Sequence, residues 1–176
     1  MANICSFSMK VKGKKEDIEK FCSALEQKNG IYMGRGATIN SKTVFDDFAI
    51  INGDTKWSIW ASLIHDAQHM KEHPDHWAWL NDKPTEIFSI EEATKLYNVS
   101  AEVYSEECGN QFQEHYIFKD GETILKEVVD FIEIYPEDYE TKEEAEENYN
   151  VSISDEDWEY GECIQCGGFE NWEFNI

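Results

Sequence analysis

The order of strand-like and helix-like patterns is the sequence feature that most restricts the fold of this chain. Residues 3–11 (NICSFSMKV) alternate apolar or small side chains with polar ones, which predicts a first strand. Residues 14–30 place apolar side chains at helical spacing and stop at Asn29-Gly30, which predicts a helix. A strand followed directly by a helix favours an architecture in which helices cover a sheet.

Two further strands and a helix are predicted next. Residues 43–51 and 56–63 are rich in β-branched and aromatic side chains, and Asn52-Gly53-Asp54 lies between them. This tripeptide is typical of a hairpin turn, because Asn, Asp and Gly tolerate left-handed backbone. Residues 87–97 then predict a short amphipathic helix with Ser89 as its N-cap.

The second half of the chain predicts more strands and an acidic helix. Residues 99–107 alternate as a strand, and Asp120-Gly121 predicts the turn of a hairpin further along. Residues 136–160 are acidic, with a surface helix predicted over the stretch TKEEAEENY. Residues 169–176 (FENWEFNI) alternate again, which predicts a final edge strand.

The predicted order is β-α-β-β-α-β with further strands, which indicates an α+β fold. It favours a ferredoxin-like split βαβ sandwich, in which an antiparallel-rich sheet carries helices on one face. We expect this core to span residues 1–135. Residues 136–176 are expected to form an acidic C-terminal extension that returns as a final strand of the same domain.

Several stretches are similar to one known family. They are Asn3 and Cys5, KWSIWASL (56–63), VYSEECGNQFQEHYIFKDGE (103–122) and the closing GGFENWEF (167–174). In these residues the chain resembles the YubB-type ferredoxin-like domain family of bacterial phages and plasmids. The resemblance implies the fold and an origin in a mobile element, and it implies no enzymatic activity. The stretch DEDWEYGECIQCGG (155–168) and the histidine-rich segment depart from the family's common pattern.

Negative charge is concentrated in the C-terminal part of the chain. The formal net charge is −22, and residues 101–176 hold 3 Lys/Arg against 23 Asp/Glu, a net charge of −20. Such a field repels nucleic acid and anionic membranes, and it attracts basic protein surfaces. Neither a secretion signal nor a membrane-spanning apolar run is recognisable, so we expect a cytoplasmic protein with reduced cysteines. The alternative interpretation of the charge is simple solubility.

The acidic run is interleaved with Tyr and Trp, the side chains that commonly anchor protein interfaces. Carboxylates spaced along it can imitate the charge repeat of a nucleic-acid backbone. We therefore predict a non-enzymatic protein that binds and inhibits a basic nucleic-acid-handling host factor, for example a defence nuclease, by nucleic-acid mimicry. The predicted partner-binding residues are Glu137, Asp138, Glu140, Glu143, Glu144, Glu146, Glu147, Asp155, Glu156, Asp157, Trp158, Glu159 and Tyr160. In the alternative interpretation the aromatic residues pack back onto the sheet.

Cys163 and Cys166 form a C-x-x-C motif, which can supply half of a tetrahedral zinc site. No second such motif occurs, so Cys108 or a histidine would have to complete the site. A zinc-binding structural or interaction module is therefore the first alternative function, against a plain structural turn. Redox catalysis is less favoured, because Gly167-Gly168 and a strand follow the motif and nearby acids disfavour a thiolate.

Four histidines lie within twelve residues: His65, His69, His73 and His76. On one helix they would share a face, and His65 and His69 have the i, i+4 spacing that metal-binding helices use. Pro74 is expected to end the helix and to break the stripe after His73. The H-E-x-x-H pattern is absent, so an exposed polar helix face or loop is the favoured interpretation.

A small metal-dependent hydrolase built on Glu102, Glu114 and His115 is the second alternative function. On a regular strand Glu114 and His115 point to opposite faces, which argues against a single acid–base pair. Glu102 and Glu114 can pair only in a suitable strand register. The sequence contains no phosphate-binding glycine loop, nucleophile elbow or dinucleotide-binding motif. We therefore predict no catalytic residues, and no cofactor apart from zinc under the first alternative.

Overall fold

The computed structural model describes residues 3–77 and 84–176 of the chain. In these residues a seven-stranded antiparallel sheet carries several helices, so the fold is α+β as the sequence predicts. The elements are β1 (Ile4–Lys12), α1 (Lys15–Leu25), β2 (Ile31–Met33), β3 (Thr38–Val44), β4 (Phe48–Lys56), α2 (Asp66–Glu72), β5 (Glu86–Phe88), α3 (Ile90–Leu96), β6 (Ser100–Glu107), β7 (Phe112–Lys119), β8 (Glu122–Ile134), α4 (Lys142–Tyr149), α5 (Asp155–Tyr160) and β9 (Ile164–Gly167). None of the described helices has the length and apolar character needed to cross a membrane.

The strands of the large sheet lie in the order β3-β4-β1-β6-β7-β8-β9. Every neighbouring pair in this sheet is antiparallel, whereas β2 and β5 form a separate parallel pair. β6 is therefore the middle strand, with β1 beside it, and the edges are β3 and β9. The edge strand β3 carries a register shift between Ile39 and Ser41 where it pairs with β4.

The main hydrophobic core lies between the sheet and α1, α3 and the helical residues 59–63 that precede α2. β1 buries alternate side chains, among them Phe7 and Met9, on the same side as Ile18 and Phe21 of α1. Cys22 is buried in this core as predicted, and burial raises the pKa of its thiol to about 11. The predicted opening strand and helix are confirmed, because their apolar periodicity matches a strand and a helix packed face to face.

The hairpin predicted at Asn52-Gly53-Asp54 is wrong. These residues lie inside β4, and the chain instead reverses through residues 45–47. A Cβ on Gly53 would come within 2.3 Å of the Thr38 carbonyl oxygen and 3.0 Å of the Phe7 ring. Position 53 therefore requires glycine because β3 and the Phe7 ring approach its backbone closely, and not because the chain turns there.

The strand predicted over residues 56–63 is also wrong, because residues 59–72 are helical. A π-helical segment spans Ala61–His65 and leads directly into α2. The Glu114 carboxylate accepts a hydrogen bond from the backbone N–H of Ile59 at 2.7 Å. This cap comes from a distant strand, so local propensity could not indicate the helix start.

Other local predictions are confirmed. Ser89 and Glu92 form a capping box at the start of α3: Ser89 Oγ accepts from the Glu92 N–H at 3.2 Å, and Glu92 Oε2 accepts from the Ser89 N–H at 2.7 Å. Asp120 and Gly121 have φ angles of 54° and 91° and connect β7 to β8, as expected for a hairpin turn. The predicted acidic helix is α4.

The C-terminal segment packs a small hydrophobic cluster of its own against the end of β8. Its buried members are Ile134, Ala145, Ile153 and Ile164. Half-buried apolar side chains, including Trp158 and Tyr139, pack against them. We call this set the second cluster. It fixes α4, α5 and β9 to the end of the sheet and leaves their polar faces in solvent.

The final strand predicted over residues 169–176 is wrong. The last strand is β9, and residues 169–176 run in irregular conformation over the face of the sheet opposite the helices. Gly167 and Gly168 have φ angles of 88° and 79°, a left-handed conformation that turns the chain off β9. The Phe169 N–H then donates to Gln113 Oε1 at 2.7 Å. Helices therefore cover one face of β6 and β7, and the C-terminal residues cover the other.

Candidate functional site

The predicted partner-binding residues lie on α4, α5 and the segment that precedes them. Eleven of their side chains are exposed to solvent. These are Glu137, Asp138, Glu140, Glu143, Glu144, Glu147, Asp155, Glu156, Asp157, Glu159 and Tyr160. We call this set the acidic surface. The structure thus brings one aromatic ring, 74% exposed at Tyr160, together with ten carboxylates on neighbouring elements.

Two residues of the predicted set have structural roles instead. Trp158 is half-buried and packs against the second cluster. Glu146 is also half-buried, and its Oε1 accepts a hydrogen bond from the Ile153 N–H at 2.8 Å. Tyr139 and Tyr149 likewise contact each other, with 3.0 Å between their hydroxyl oxygens. Trp158 and Tyr139 pack against the second cluster at the end of the sheet, which agrees with the alternative interpretation for these two rings.

Local structure explains how two short helices accommodate so many carboxylates. Glu143 and Glu144 lie in the first turn of α4, and Asp155, Glu156 and Asp157 lie in the first turn of α5. Negative side chains are favourable there, because the N-terminal end of a helix carries partial positive charge. Thr141 and Ser154 also cap these helices through their side-chain oxygens.

Lys142 is the single Lys or Arg among residues 127–176. Its Nζ donates to Asp155 Oδ1 at 2.6 Å and thereby ties α4 to the start of α5. This hydrogen bond lowers the pKa of Asp155 and raises that of Lys142. Within the described part of the chain, Asp155 is the one member of the acidic surface with an ion-pair partner. The other carboxylates of the surface therefore act together as uncompensated negative charge.

A buried polar cluster lies on the sheet face beneath the C-terminal residues. The Glu102 side chain is fully buried and lies 2.9 Å from His115 Nε2. Glu102 Oε2 also accepts hydrogen bonds from the backbone N–H groups of Asn175 and Ile176. His115 Nδ1 lies 3.1 Å from Glu127 Oε2. Because each ring nitrogen faces a carboxylate oxygen, a ring with protons on both nitrogens donates to both.

Aromatic rings seal this cluster from above. The Tyr104 ring stacks on the His115 ring, with 3.9 Å between centroids and 6° between planes. Trp172 and Phe174 pack on Tyr104 at centroid distances of 5.8 and 5.9 Å. Burial raises the pKa of the Tyr104 hydroxyl. The cluster therefore holds the C-terminal residues on the sheet and leaves no room for a substrate at His115.

Glu114 lies on the opposite face of β7, as predicted from its alternation with His115. Its carboxylate accepts hydrogen bonds from the Ile59 N–H, from Ser105 Oγ at 3.0 Å and from the Tyr116 hydroxyl at 3.2 Å. Burial raises the pKa of Glu114 despite these donors. Glu102 pairs across the sheet with Ile117, and Glu114 pairs with Ser105, so Glu102 and Glu114 point to opposite faces. The three residues of the hydrolase alternative do not form one site.

The two cysteines of the C-x-x-C motif face different surroundings. Cys163 is exposed just before β9, and its thiol next to Tyr135 raises the pKa of that tyrosine to about 12. Cys166 packs against the second cluster, and burial raises the pKa of its thiol. Cys108 donates to Glu106 at 3.5 Å, and its pKa is raised to about 11, first by burial and then by that carboxylate. In the side-chain conformations of the structure, no group of three His, Cys, Asp or Glu among the described residues is arranged to hold a metal ion.

The four histidines lie closer together than predicted. α2 ends at Glu72, but a 3₁₀ turn after His73 brings His76 back beside His69 and His73. The predicted end of the helix before Pro74 is confirmed, and His76 lies on the 3₁₀ turn and not on α2. The His65 ring also contacts the exposed Trp60 ring at 5.2 Å between centroids.

Sequence reasoning missed several residues of these arrangements. Glu127 and Asn175 gave no signal, because their roles depend on the register of β8 and on the path of the C-terminal residues. Lys142 could have been found, since a lone lysine between two acidic helix starts predicts an ion pair.

A scan against protein-family models finds no match to this chain, and searches of the curated proteins and of the solved structures find no significant similarity. The family resemblance seen in the sequence therefore stays a prediction.

Proposed function

We propose that this protein is a non-enzymatic inhibitor that binds a basic, nucleic-acid-handling protein by mimicking the charge of nucleic acid. The observation that carries the proposal is the acidic surface: ten exposed carboxylates on and before α4 and α5, with a single lysine beside them. Lys142 is already engaged with Asp155, so it does not offset the charge of the other carboxylates.

The second cluster is the structural basis of this surface. Ala145 and Ile153 are buried, which fixes one side of the α4–α5 region against β8. The charged residues then lie on the solvent side in fixed positions. A rigid array of carboxylates loses little conformational entropy on binding, so it competes for Lys and Arg groups better than a disordered acidic tail would. Tyr160, at 74% exposure, supplies an aromatic contact within this array.

The charge of the surface also determines the class of partner. A groove lined with Lys and Arg binds nucleic acid largely by releasing counterions from the phosphates, and its affinity falls steeply with salt. A protein with a net charge of −20 in its last 76 residues offers such a groove a similar field. The same field repels nucleic acid itself, so we expect no direct binding of DNA or RNA.

The finer fold description belongs to the same proposal. In the order β3-β4-β1-β6, β1 and β3 are parallel with β4 between them, and β4 and β6 are parallel with β1 between them. Helices connect both parallel pairs along the chain. Two interleaved split βαβ units of this kind support a ferredoxin-like core, to which residues 136–176 add the acidic extension. With the sequence resemblance, this arrangement favours an inhibitor from a bacterial phage or plasmid that acts in the host cytoplasm.

The proposal is tested by capture and displacement. Immobilised protein is incubated at low salt with nuclease-treated bacterial lysate, and bound proteins are eluted with duplex DNA. We expect a basic nucleic-acid-binding protein to be retained, to be displaced by the DNA and to lose affinity as salt rises. The captured protein should also lose its own DNA binding or cleavage when the acidic protein is added. Retention of no DNA-displaceable protein would refute the mimicry.

Two charge-reversal variants make the test specific to the surface. E143K/E147K reverses two exposed carboxylates on α4, and E16K/E19K reverses two exposed carboxylates on α1. Both variants change the net charge by the same amount, and Glu143 and Glu16 both lie in the first turn of their helices. We expect E143K/E147K to weaken binding of the captured protein at least about tenfold and E16K/E19K to leave it nearly unchanged. Equal losses would mean that only total charge matters.

A further inference from the structure

The histidine array that follows the π-helical segment is not used by the proposed function. The centroid of the His69 ring lies 4.8 Å from that of His73 and 5.5 Å from that of His76. The His73 and His76 centroids are 5.1 Å apart. These three imidazoles therefore form a compact triangle, and the His65 ring lies next to it, 6.1 Å from His69.

The backbone explains why the triangle forms. His65 ends the π-helical segment, His69 lies on α2, and His73 directly follows α2. Their spacing of four residues places the three side chains on one side of this helical stretch. The His73 N–H donates to the His69 carbonyl oxygen at 2.9 Å as the helix ends. A 3₁₀ turn begins at Pro74, and the His76 N–H donates to the His73 carbonyl oxygen at 3.0 Å. The turn thus returns a third imidazole to the end of the helix.

We propose that His69, His73 and His76 bind one divalent transition-metal ion of the Zn²⁺, Ni²⁺ and Cu²⁺ class. Imidazole nitrogen suits these ions, whereas Mg²⁺ and Ca²⁺ prefer oxygen ligands. A metal–nitrogen bond of about 2.0–2.1 Å puts each ring centroid about 3.2 Å from the ion. Two imidazoles on a tetrahedral ion then have centroids about 5 Å apart. The three distances in the triangle, 4.8, 5.1 and 5.5 Å, match this separation.

Binding requires the rings to turn about their side-chain bonds. The planes of His73 and His76 differ by only 15°, so these rings now stack and do not direct their nitrogens at one point. Both side chains are exposed, and His69 is half-buried. A turn about the Cβ–Cγ bond redirects the ring nitrogens but leaves the ring centroid almost in place, so the helix and the 3₁₀ turn already supply the spacing that the ion needs.

His65 lies outside this site. It precedes His73 by eight residues, a rise of about 12 Å along a helix, which is too far for both rings to bind one ion. Its Nδ1 instead lies 3.3 Å from Asp66 Oδ1. The negative charge of the whole chain favours a dication at the triangle.

The test is metal binding by the full chain, purified without a histidine tag or a chelator. Zn²⁺ titrated by calorimetry should bind at one site per chain, and Co²⁺ should give visible bands of imidazole ligation without the intense near-ultraviolet band of thiolate ligation. H69Q/H73Q and H76Q should each weaken Zn²⁺ binding by at least about tenfold. Circular dichroism should show that these variants keep the secondary structure of the wild type.

Matched variants separate this site from other sources of binding. K71Q changes an exposed residue on α2 without removing a ligand, and C163S/C166S removes the C-x-x-C thiols; we expect both to bind Zn²⁺ like the wild type. Loss of binding in C163S/C166S, or a thiolate band with Co²⁺, would place the ion at the cysteines and overturn the proposal. An absence of Zn²⁺ binding would also overturn the proposal. Weak Zn²⁺ binding at many sites would overturn it as well, if Mg²⁺ displaced the Zn²⁺ and the histidine variants still bound it.

Discussion

His115 contacts two carboxylates that differ mainly in their exposure to solvent. The Glu102 side chain is 0% exposed and the Glu127 side chain is 51% exposed. A buried charge that loses a partner has no water to replace it, whereas an exposed charge does. The same histidine therefore holds one contact on which the fold depends and one that solvent can replace.

This difference predicts unequal effects of two substitutions. H115L should lower the free energy of unfolding by about 3 kcal/mol or more, because Glu102 stays buried with one donor fewer. E127Q should lower it by about 1 kcal/mol at most, because its partially exposed ion pair is weak. Urea unfolding followed by circular dichroism measures both. Similar losses in the two variants would contradict the structural role assigned to Glu102.

Single residues also mark the limit of what the sequence could predict. The exposed carboxylates of the acidic surface were predicted from composition, because charged side chains rarely lie in a core. The roles of Trp158 and Tyr160 were not distinguishable, since both occur in one acidic stretch. Only the direction of each side chain on α5 separates them: Trp158 packs on the second cluster, and Tyr160 is exposed.

At the scale of elements, the second cluster connects α4, α5 and β9 to β8, a long strand that pairs with β7 of the main sheet. β8 spans Glu122–Ile134, and only its last residues, such as Ile134, reach the second cluster. Among the described residues, the second cluster and the main core have no member in common. Regions of this kind often open separately from the rest of a protein.

We expect I153A to release the α4–α5–β9 region while the main sheet persists. Ile153 is 3% exposed, and removing a buried isoleucine side chain costs about 2–5 kcal/mol. Hydrogen exchange should then lose protection in residues 141–167 and keep it in β1 and β6. As a control, I51A removes a fully buried side chain from the main core and should lower protection throughout. Uniform loss in both variants would mean that the chain unfolds as one unit.

Elements with local signals were predicted well, and those defined by distant contacts were not. The Ser89 cap and the Asp120-Gly121 turn act within a few residues, so the sequence indicates them directly. The helix after Trp57 begins where Glu114 caps it from β7, and that contact is invisible to local patterns. The residues after β9 lie flat on the sheet because Glu102 binds Asn175 and Ile176, which alternation alone cannot distinguish from strand pairing.

At the scale of the whole molecule, charge repulsion and the burial of Glu114 both lower the stability of the folded state as pH rises. The net charge of −22 destabilises the compact state when the carboxylates are ionised. Burial raises the pKa of Glu114, so the folded state binds its proton more readily than the unfolded state. Stability therefore falls as pH rises from the ordinary glutamate range through the raised pKa. Asp155 has the opposite sign, but its lowered pKa acts only at more acidic pH.

We predict that the free energy of unfolding is higher at about pH 5 than at about pH 7, by about 1 kcal/mol, because this interval lies just above the ordinary glutamate range. Salt at about 0.3 M should raise the free energy of unfolding at pH 7, because it screens exposed carboxylates. E114Q should reduce the dependence on pH and leave the dependence on salt unchanged, since the glutamine side chain is buried and neutral. Denaturant unfolding at both pH values and both salt concentrations measures these effects. A protein that is less stable at pH 5 than at pH 7 would contradict this prediction.

The open edge at β3 has a consequence for how copies of this protein behave toward one another. The unpaired backbone groups of an edge strand can pair with the edge of another molecule and so begin aggregation. Two copies of this chain repel each other strongly at neutral pH, so the carboxylates that are proposed to attract a basic partner also keep these edges apart. Near the sequence pI of 4.4 this repulsion disappears. A partner that neutralised the acidic surface would also weaken the repulsion between copies. The irregular register of β3 would then be the barrier that remains against pairing of two β3 edges.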